Sequence, residues 1–148
     1  ERANTRMWVR RIDLNILEPA ANGFRFSQGL KMFQDRVHCI PEAAEGLKES
    51  ARKKLAWLDA QMGSKSFVTG NKLTMADILL FTFLEFLAKV GQPLDPANKN
   101  LAAWMERMKA RPSAAAARPS SLPVVEAADD GAAAPGAARS SWCCAALG

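Results

Sequence analysis

The segment 78–87 constrains the fold more than any other part of the sequence, because its apolar residues cover nearly the whole circumference of a helix. Thr74 precedes this segment as a candidate N-cap. Asp77 is spaced to accept a hydrogen bond from the backbone N–H of Thr74, as in a capping box. The apolar members are Ile78, Leu79, Leu80, Phe81, Phe83, Leu84, Phe86 and Leu87. A helix of this kind has to be buried on every side, so the sequence predicts an all-α bundle built around it.

The first predicted helix, residues 3–17, carries two apolar stripes separated by a polar line. One stripe is Trp8, Val9, Ile12 and Ile16, the other is Met7, Leu14 and Leu17, and the polar line is Asn4, Arg11 and Asn15. Pro19 interrupts the pattern and is expected to end the helix. A helix with two apolar stripes packs on two sides. The polar line between them faces either a cleft or water, and the pattern leaves both open.

Three further helices complete the predicted bundle. Residues 27–38 form a short helix with Ser27 as its N-cap, and residues 41–62 form a long one whose outer face includes Lys48. Residues 98–111 form the last helix, with an apolar side that contains Trp104, and Pro112 is expected to stop it. No segment shows the alternating pattern of a half-buried strand.

The positive charge of the chain is concentrated in its first part. The formal net charge is +5, and residues 1–113 hold 18 Lys and Arg against 12 Asp and Glu, a balance of +6. The basic residues are dispersed along amphipathic helices, so a solvated face explains them better than a nucleic-acid site does. The charge does fit an acidic protein partner.

Several classes of site are excluded by composition. With one His and three Cys, the chain has too few good ligands for a zinc site, and adjacent Cys143 and Cys144 do not suggest a disulfide framework. A reducing compartment, the cytoplasm, is therefore expected. The longest apolar run is far shorter than the ~18 residues of a membrane span, so no membrane association is expected.

The composition changes after Ser113, where Ala, Ser, Pro and Gly dominate. Such a tract has little apolar surface to bury and is expected to be disordered. We therefore predict a helical domain over residues 1–117 and a low-complexity tail over 118–148. The chain runs from Glu1 directly into helical pattern, as a piece of a longer protein would.

Four ordered stretches resemble one known family. The most specific is Phe67–Ile78, read as Phe-Val-Thr-Gly-Asn-Lys-Leu-Thr-Met-Ala-Asp-Ile, which looks like the loop and buried helix of the glutathione transferases. Residues 6–15, 55–62 and 100–113 are similar to other helices of the same C-terminal helical domain, in the bacterial-type members, and follow in the same order. The resemblance covers about residues 2–117.

This resemblance implies a role for the first and last helices as the wall of a pocket for a hydrophobic electrophile. Asn15 and Arg11 are the first candidates for contact with this substrate, and Met7 and Trp104 are weaker apolar ones. For Trp104 a place in the core competes with this role. Thr74 and Asp77 are expected to be structural.

The resemblance also implies that this chain lacks the chemistry of the family's enzymes. In those enzymes an N-terminal thioredoxin-like domain binds glutathione and supplies the Tyr, Ser or Cys that activates the sulfur, whereas this chain has no such segment and no Tyr. We therefore assign no catalytic residue, no metal and no cofactor, and expect glutathione as co-substrate only if that domain is present. The chain would then be part of a glutathione transferase, inactive alone, that supplies a pocket wall and a homodimer surface.

A second hypothesis comes from a different class of protein. Isolated helical domains of this type recur as assembly elements in translation-related proteins, so the chain could be a non-catalytic docking module instead. The sequence leaves both hypotheses open.

Overall fold

A computed structural model describes residues 1–116 of the chain. The predicted boundary at residue 117 and the predicted tail over 118–148 lie outside the described residues. The helices are α1 (Arg2–Ile12), a π-helical turn (Asp13–Leu17), α2 (Glu18–Arg25), α3 (Leu30–Phe33), a 3-10 turn (Pro41–Ala43), α4 (Ala44–Met62), α5 (Met75–Lys89), α6 (Lys99–Lys109) and α7 (Pro112–Ala116).

The predicted all-α class is confirmed, because no strand is formed within residues 1–116. Helix α4 packs against α2 and α6, and α1 packs against α5. These helices enclose one core whose largest fully buried side chains include Trp104, Ile12, Leu58, Met62, Leu80 and Leu101. In the described part of the chain, no helix is long and apolar enough to cross a membrane.

The buried carboxylate of Asp77 connects three segments of the core. One of its oxygens, Oδ2, accepts hydrogen bonds from the backbone N–H and the hydroxyl of Thr74, both at 2.9 Å. The other, Oδ1, accepts the backbone N–H of Val68 at 2.8 Å and the indole N–H of Trp104 at 3.1 Å. Asp77 therefore caps its own helix and also fixes the preceding loop and helix α6 against it.

A second carboxylate performs a similar task at the start of α6. Asp59, near the end of α4, accepts the backbone N–H of Leu101 through Oδ1 at 2.7 Å and the side-chain amide of Asn100 through Oδ2 at 3.1 Å. The amide of Asn100 also donates to the backbone oxygen of Asp59 at 3.0 Å. Helix α6 thus receives part of its N-terminal capping from another helix.

The prediction that α5 is buried on every side is wrong. Its buried side holds Ala76, Leu80, Phe81, Leu84 and Leu87. Its opposite side presents Met75, Ile78 and Thr82 at i, i+3 and i+7, with Met75 61% and Ile78 44% exposed. These three residues, called here the α5 line, are left uncovered because the other helices surround only part of α5.

The first helix does not end before Pro19, contrary to the sequence prediction. Helical backbone continues to Arg25 through the π-helical turn, in which the N–H of Glu18 bonds to the carbonyl of Asp13 five residues earlier. Proline lacks an N–H, and its ring collides with the carbonyl four residues before it in a regular α-helix. The wider π turn places Pro19 in the first turn of a new helix, where no N–H is needed.

The predicted position of Lys48 on the outer face of its helix is also wrong. Lys48 is buried, and its aliphatic stem lies against Gly23 of α2, where an added Cβ would be 2.6 Å from Lys48 Cγ. Its ammonium group reaches the exposed Glu45, with Nζ 2.8 Å from Oε1. Because Lys48 donates this hydrogen bond, the pKa of Glu45 is lowered from its ordinary value. The stem covers apolar surface while the charged end stays near water.

The segment 27–38 is only partly helical, with regular α-helix limited to α3. Ser27 is not an N-cap: its hydroxyl donates to the backbone oxygen of Gly23 at 2.6 Å, near the end of α2. The carbonyl of Phe24 accepts the N–H groups of both Ser27 and Gly29, at 3.1 and 2.9 Å. These bonds fold the chain back after α2, which shortens the following helix.

The predicted apolar side of the last long helix is confirmed, since Leu101, Trp104, Met105 and Met108 are all buried. Pro112 ends this helix but also begins α7, in which Ala114 is buried. The tract expected to be disordered from Ser113 is therefore helical up to Ala116.

We predict that Asp77→Ala lowers the free energy of unfolding by about 3 kcal/mol or more, because it leaves several buried donors without an acceptor. Urea unfolding followed by circular dichroism measures this. Asp95→Ala is the matched control, since Asp95 is exposed and caps only the N–H of Ala97 at 2.8 Å. Its expected cost is about 1 kcal/mol. Equal losses in the two variants would contradict the central role of Asp77.

Two glycine substitutions are expected to have opposite signs. Gly23→Ala inserts a methyl group against the Lys48 stem and the Ala44 carbonyl, the latter 3.3 Å away, and is expected to cost about 1–3 kcal/mol. Gly46→Ala, in α4, meets nothing within 4 Å and is expected to stabilise by about 0.5–1 kcal/mol through helix propensity. Thermal unfolding of both variants gives the comparison. A stabilising Gly23→Ala would show that α2 and α4 are not in close contact at this point.

Candidate functional site

A groove lies between the first helix and α4. It has a volume of about 230 Å³ and is lined from the first helix by Trp8, Arg11, Ile12, Asn15 and Ile16, and from α4 by Lys54, Trp57 and Leu58. The residues from the first helix recur every three or four positions, so they share one helical face. The same is true of the three residues from α4. The groove therefore forms where the side faces of two packed helices meet.

Two tryptophans form the aromatic wall of the groove. The ring centroids of Trp8 and Trp57 are 5.9 Å apart, with the rings tilted by 31°. Trp8 is 7% exposed and held by the core, whereas Trp57 is 41% exposed. Beneath them, Ile12 and Leu58 are almost completely buried and close the floor. The groove thus combines a fixed apolar base with one accessible aromatic surface.

The polar groups of the groove carry positive charge or none. The guanidinium carbon of Arg11 lies 5.6 Å from the ring centroid of Trp8, the distance of a cation–π contact. The side-chain amide of Asn15 donates to the backbone oxygen of Arg11 at 2.9 Å and is fixed by this bond. Lys54 adds a second cation. Within residues 1–116, neither Arg11 nor Lys54 forms an ion pair with a carboxylate.

The structure brings together two of the four predicted substrate contacts. Arg11 and Asn15 line the groove although both are exposed residues, so this part of the polar line faces a cleft that is itself open to water, whereas Asn4 is not in the lining. Met7 is exposed and is not part of the groove lining. Trp104 lies completely buried in the core, where its indole N–H bonds to Asp77. This position agrees with the alternative interpretation of Trp104 as a core residue rather than a substrate contact.

Sequence reasoning missed the contribution of α4 to the groove. Lys54 and Trp57 are at i and i+3 on one face of that helix, and an exposed tryptophan beside the apolar stripe was the available signal. What the sequence did not show is that this face meets Arg11, because the two positions are more than forty residues apart in the chain.

The groups that line the groove are mostly ones suited to binding. Its lining contains no thiol, hydroxyl, imidazole or carboxylate, and the amine of Lys54 is the one group in it that can act as a nucleophile or a base. Elsewhere among the described residues, no three His, Cys, Asp or Glu side chains are grouped so that they could hold a metal ion. His38 is exposed, and the neighbouring Cys39 lies with its sulfur 3.4 Å from the backbone oxygen of Val37.

Comparison with known proteins agrees with the fold. Residues 41–107 match the family model described as glutathione S-transferase, C-terminal domain. The crystal structure of Gtt2 from Saccharomyces cerevisiae superposes with a TM-score of 0.65 and 23% identity, covering 75% of this chain and 53% of that one. At this identity the match establishes the fold alone. The described residues thus have the helical fold of glutathione transferase C-terminal domains.

The proteins that are similar in sequence are named elongation factor 1-gamma and not glutathione transferase. Elongation factor 1-gamma of Equus caballus is 32% identical over 90 residues, which are 61% of this chain and 19% of the relative. The protein of the same name from Danio rerio is 27% identical over 106 residues, 69% of this chain and 22% of the relative. The chain therefore matches about a fifth of the length of these relatives.

Proposed function

We propose that this helical domain is a non-catalytic docking module of a translation elongation factor, which binds another protein. The observation that carries the proposal is the similarity to elongation factor 1-gamma, at 32% identity over 90 residues. It is supported by the large apolar side chains of Met75 and Ile78, which α5 leaves exposed at the surface of the domain.

The α5 line is the surface that we assign to docking. Met75 and Ile78 are large apolar side chains that project from the central helix of the domain, and Thr82 continues their row. Because α5 is held from behind by the core and at its N-terminus by Asp77, these side chains stand on a rigid support. Apolar residues on a rigid element lose little conformational freedom when a partner covers them.

The charge of the domain favours an acidic partner. Residues 1–113 carry a net charge of +6, and their cations are spread over the surface of several helices. Complementary charge at this level accelerates encounter and orients the partner more than it increases affinity. In this proposal the apolar α5 line provides affinity and the net positive charge of residues 1–113 provides steering.

A second candidate function is participation in a glutathione transferase. The observation that favours it is that Arg11 and Asn15, the two leading candidates for electrophile contact, line one groove. In that case a thioredoxin-like domain, provided by a longer protein or by fusion, would bind glutathione as co-substrate. The groove would contribute to the pocket for the hydrophobic electrophile. For both candidates we propose a cytoplasmic location, and for the transferase a homodimer.

Docking is tested by charging the α5 line. We expect Ile78→Asp to abolish capture of the partner from a translation-competent cell extract, measured by quantitative mass spectrometry on the tagged 148-residue chain. Val37→Asp is the matched control, because Val37 is also β-branched and is 41% exposed in the loop before α4. Both variants are expected to keep the wild-type melting temperature. Equal capture by wild type and Ile78→Asp would exclude the α5 line as the docking surface.

Catalysis is tested by restoring the second domain. The chain alone is expected to show no conjugation of glutathione to 1-chloro-2,4-dinitrobenzene above the uncatalysed rate. If the transferase candidate is right, fusion of a transferase thioredoxin-like domain before Glu1 yields conjugation. Arg11→Gln then raises KM for the aryl halide and leaves KM for glutathione nearly unchanged, while Lys53→Gln, outside the groove lining, alters neither. A folded but inactive fusion counts against this candidate.

A further inference from the structure

A row of arginines runs along α1. Arg2, Arg6 and Arg10 recur every four residues, so they share one face of that helix and are called here the arginine row. All three are exposed, and none of them lines the groove between the first helix and α4. Their position relative to α5 decides whether they can contact the same partner as the α5 line.

The helical backbone of residues 2–25 and α5 run side by side in the same direction. At one end, Nζ of Lys72, just before α5, lies 3.8 Å from Oε1 of Glu1. Towards the other end, the ring centroids of Phe24 and Phe86 are 5.7 Å apart. The two helical segments are therefore parallel, and their N-terminal ends lie together.

The arginine row lies on the flank of α1 that is turned towards α5. The other flank carries Arg11, which faces α4 across the groove, and Arg6 is roughly 140° around the helix from it. Val9 follows Arg6 by three residues, is half-buried and packs against the core. Because α5 is the helix that packs on α1 away from α4, the arginine row borders the seam between α1 and α5.

The α5 line borders the same seam. Around the circumference of α5, this line lies between Phe86, which contacts Phe24, and Phe81, which contacts Trp104 of α6 at a centroid distance of 6.5 Å. The line is thus the outward face of α5, next to the side that meets residues 2–25. It spans seven residues and the arginine row eight, so each row is roughly 11 Å long.

We propose that this seam binds an amphipathic helix of a partner protein. The apolar stripe of that helix covers the α5 line, and an edge of Asp or Glu beside the stripe contacts the arginine row. Two parallel helices leave a shallow groove between their outer faces, and a third helix laid along it presents residues at i, i+3 or i+4, and i+7 to both rows. This assignment rests on the docking function proposed above and specifies the chemistry of the partner.

The cations of the row are available to carboxylates. Among the described residues, neither Arg2 nor Arg6 forms an ion pair. Arg10 has one partner, with Nη1 3.4 Å from Oδ2 of Asp13, and both side chains are largely exposed. A guanidinium matches the two oxygens of a carboxylate through paired hydrogen bonds, so a row of three favours acidic residues at helical spacing.

The polar member of the α5 line does not oppose burial. The hydroxyl of Thr82 donates to the backbone oxygens of Ile78 and Leu79, at 3.0 and 3.1 Å, so it keeps a partner when another helix covers it. Glu85 follows Thr82 by three residues on α5. Its carboxylate repels an acidic edge at that end of α5, so the acidic edge is favoured on the α1 side of the line.

The test uses three hydrocarbon-stapled helical peptides that share one leucine stripe and carry Glu, Gln or Lys along one edge of it. Their binding to the full 148-residue chain is measured by fluorescence anisotropy. We expect the Glu peptide to bind about tenfold more tightly than the Gln peptide, the effect of two or more exposed ion pairs, and the Lys peptide to bind most weakly. Added salt is expected to reduce these differences. Equal affinities for the three peptides, or no binding of the Glu peptide, would overturn the proposal.

Paired variants locate the charge effect. In the double variant Arg2→Gln with Arg6→Gln, the affinity for the Glu peptide is expected to fall to that for the Gln peptide. The control is Lys31→Gln with Arg36→Gln, which removes the same charge from two exposed residues that form no ion pair within residues 1–116. It is expected to keep the tenfold preference. A preference that survives the arginine double variant would show that the row is not the contact.

Methyl spectra locate the apolar contact. The methyl signal of Met75 is expected to shift when the Glu peptide is added, and that of Met32, a methionine of α3 that is 52% exposed, to stay in place. The reverse pattern would place the peptide elsewhere. Failure here is distinct from failure of the docking function. If Ile78→Asp abolishes capture but the Glu and Gln peptides bind alike, docking stands and the acidic helix is wrong, whereas capture unchanged by Ile78→Asp refutes docking itself.

Discussion

The rest of the structure depends on one buried carboxylate. Asp77 is completely shielded from water and accepts four hydrogen bonds, two from Thr74 and one each from Val68 and Trp104. These bonds fix the start of α5, the loop before it and the side chain at the centre of α6. A buried polar group without its hydrogen-bond partners costs its full desolvation free energy. This cost is larger than the net contribution of one hydrogen bond to stability. The loop, α5 and α6 are therefore held in one arrangement, and the α5 line has a fixed support.

Local pattern was sufficient to predict the class of fold and one end of this network. The spacing of Thr74 and Asp77 indicates the cap, and the apolar residues after them demand surrounding helices. The bonds of Asp77 to Val68 and Trp104 cross 9 and 27 positions of the chain, and no periodicity carries such information. For the same reason the sequence gives no sign that Asp59 caps the start of α6 from another helix.

In three places the structure departs from the local rule on which the sequence prediction rested. Pro19 would end an isolated α-helix, but a π turn changes the register and the helix continues. Lys48 has the position of a surface residue, but Gly23 allows α2 to approach so closely that the lysine stem becomes part of the contact. Serine is a residue type preferred at N-caps, but the hydroxyl of Ser27 donates to the backbone oxygen of Gly23 in the preceding helix instead. Of the three corrections, only that of Lys48 depends on a neighbour distant in the chain, because the π turn and the Ser27–Gly23 bond are local.

A neighbour distant in the chain also explains why the sequence left the polar line of the first helix ambiguous between a cleft and water. Arg11 and Asn15 are exposed, as a solvated face requires, and they also line a groove, as a cleft requires. The two descriptions are compatible because Trp57, from α4, stands beside them and turns part of the helix surface into one wall of a concavity. A wall built from Trp8, which the core holds rigid, undergoes little reorganisation when a ligand enters, so more of the contact energy remains for affinity. The α5 line is apolar and projecting, so it is suited to a larger partner that can cover it from outside.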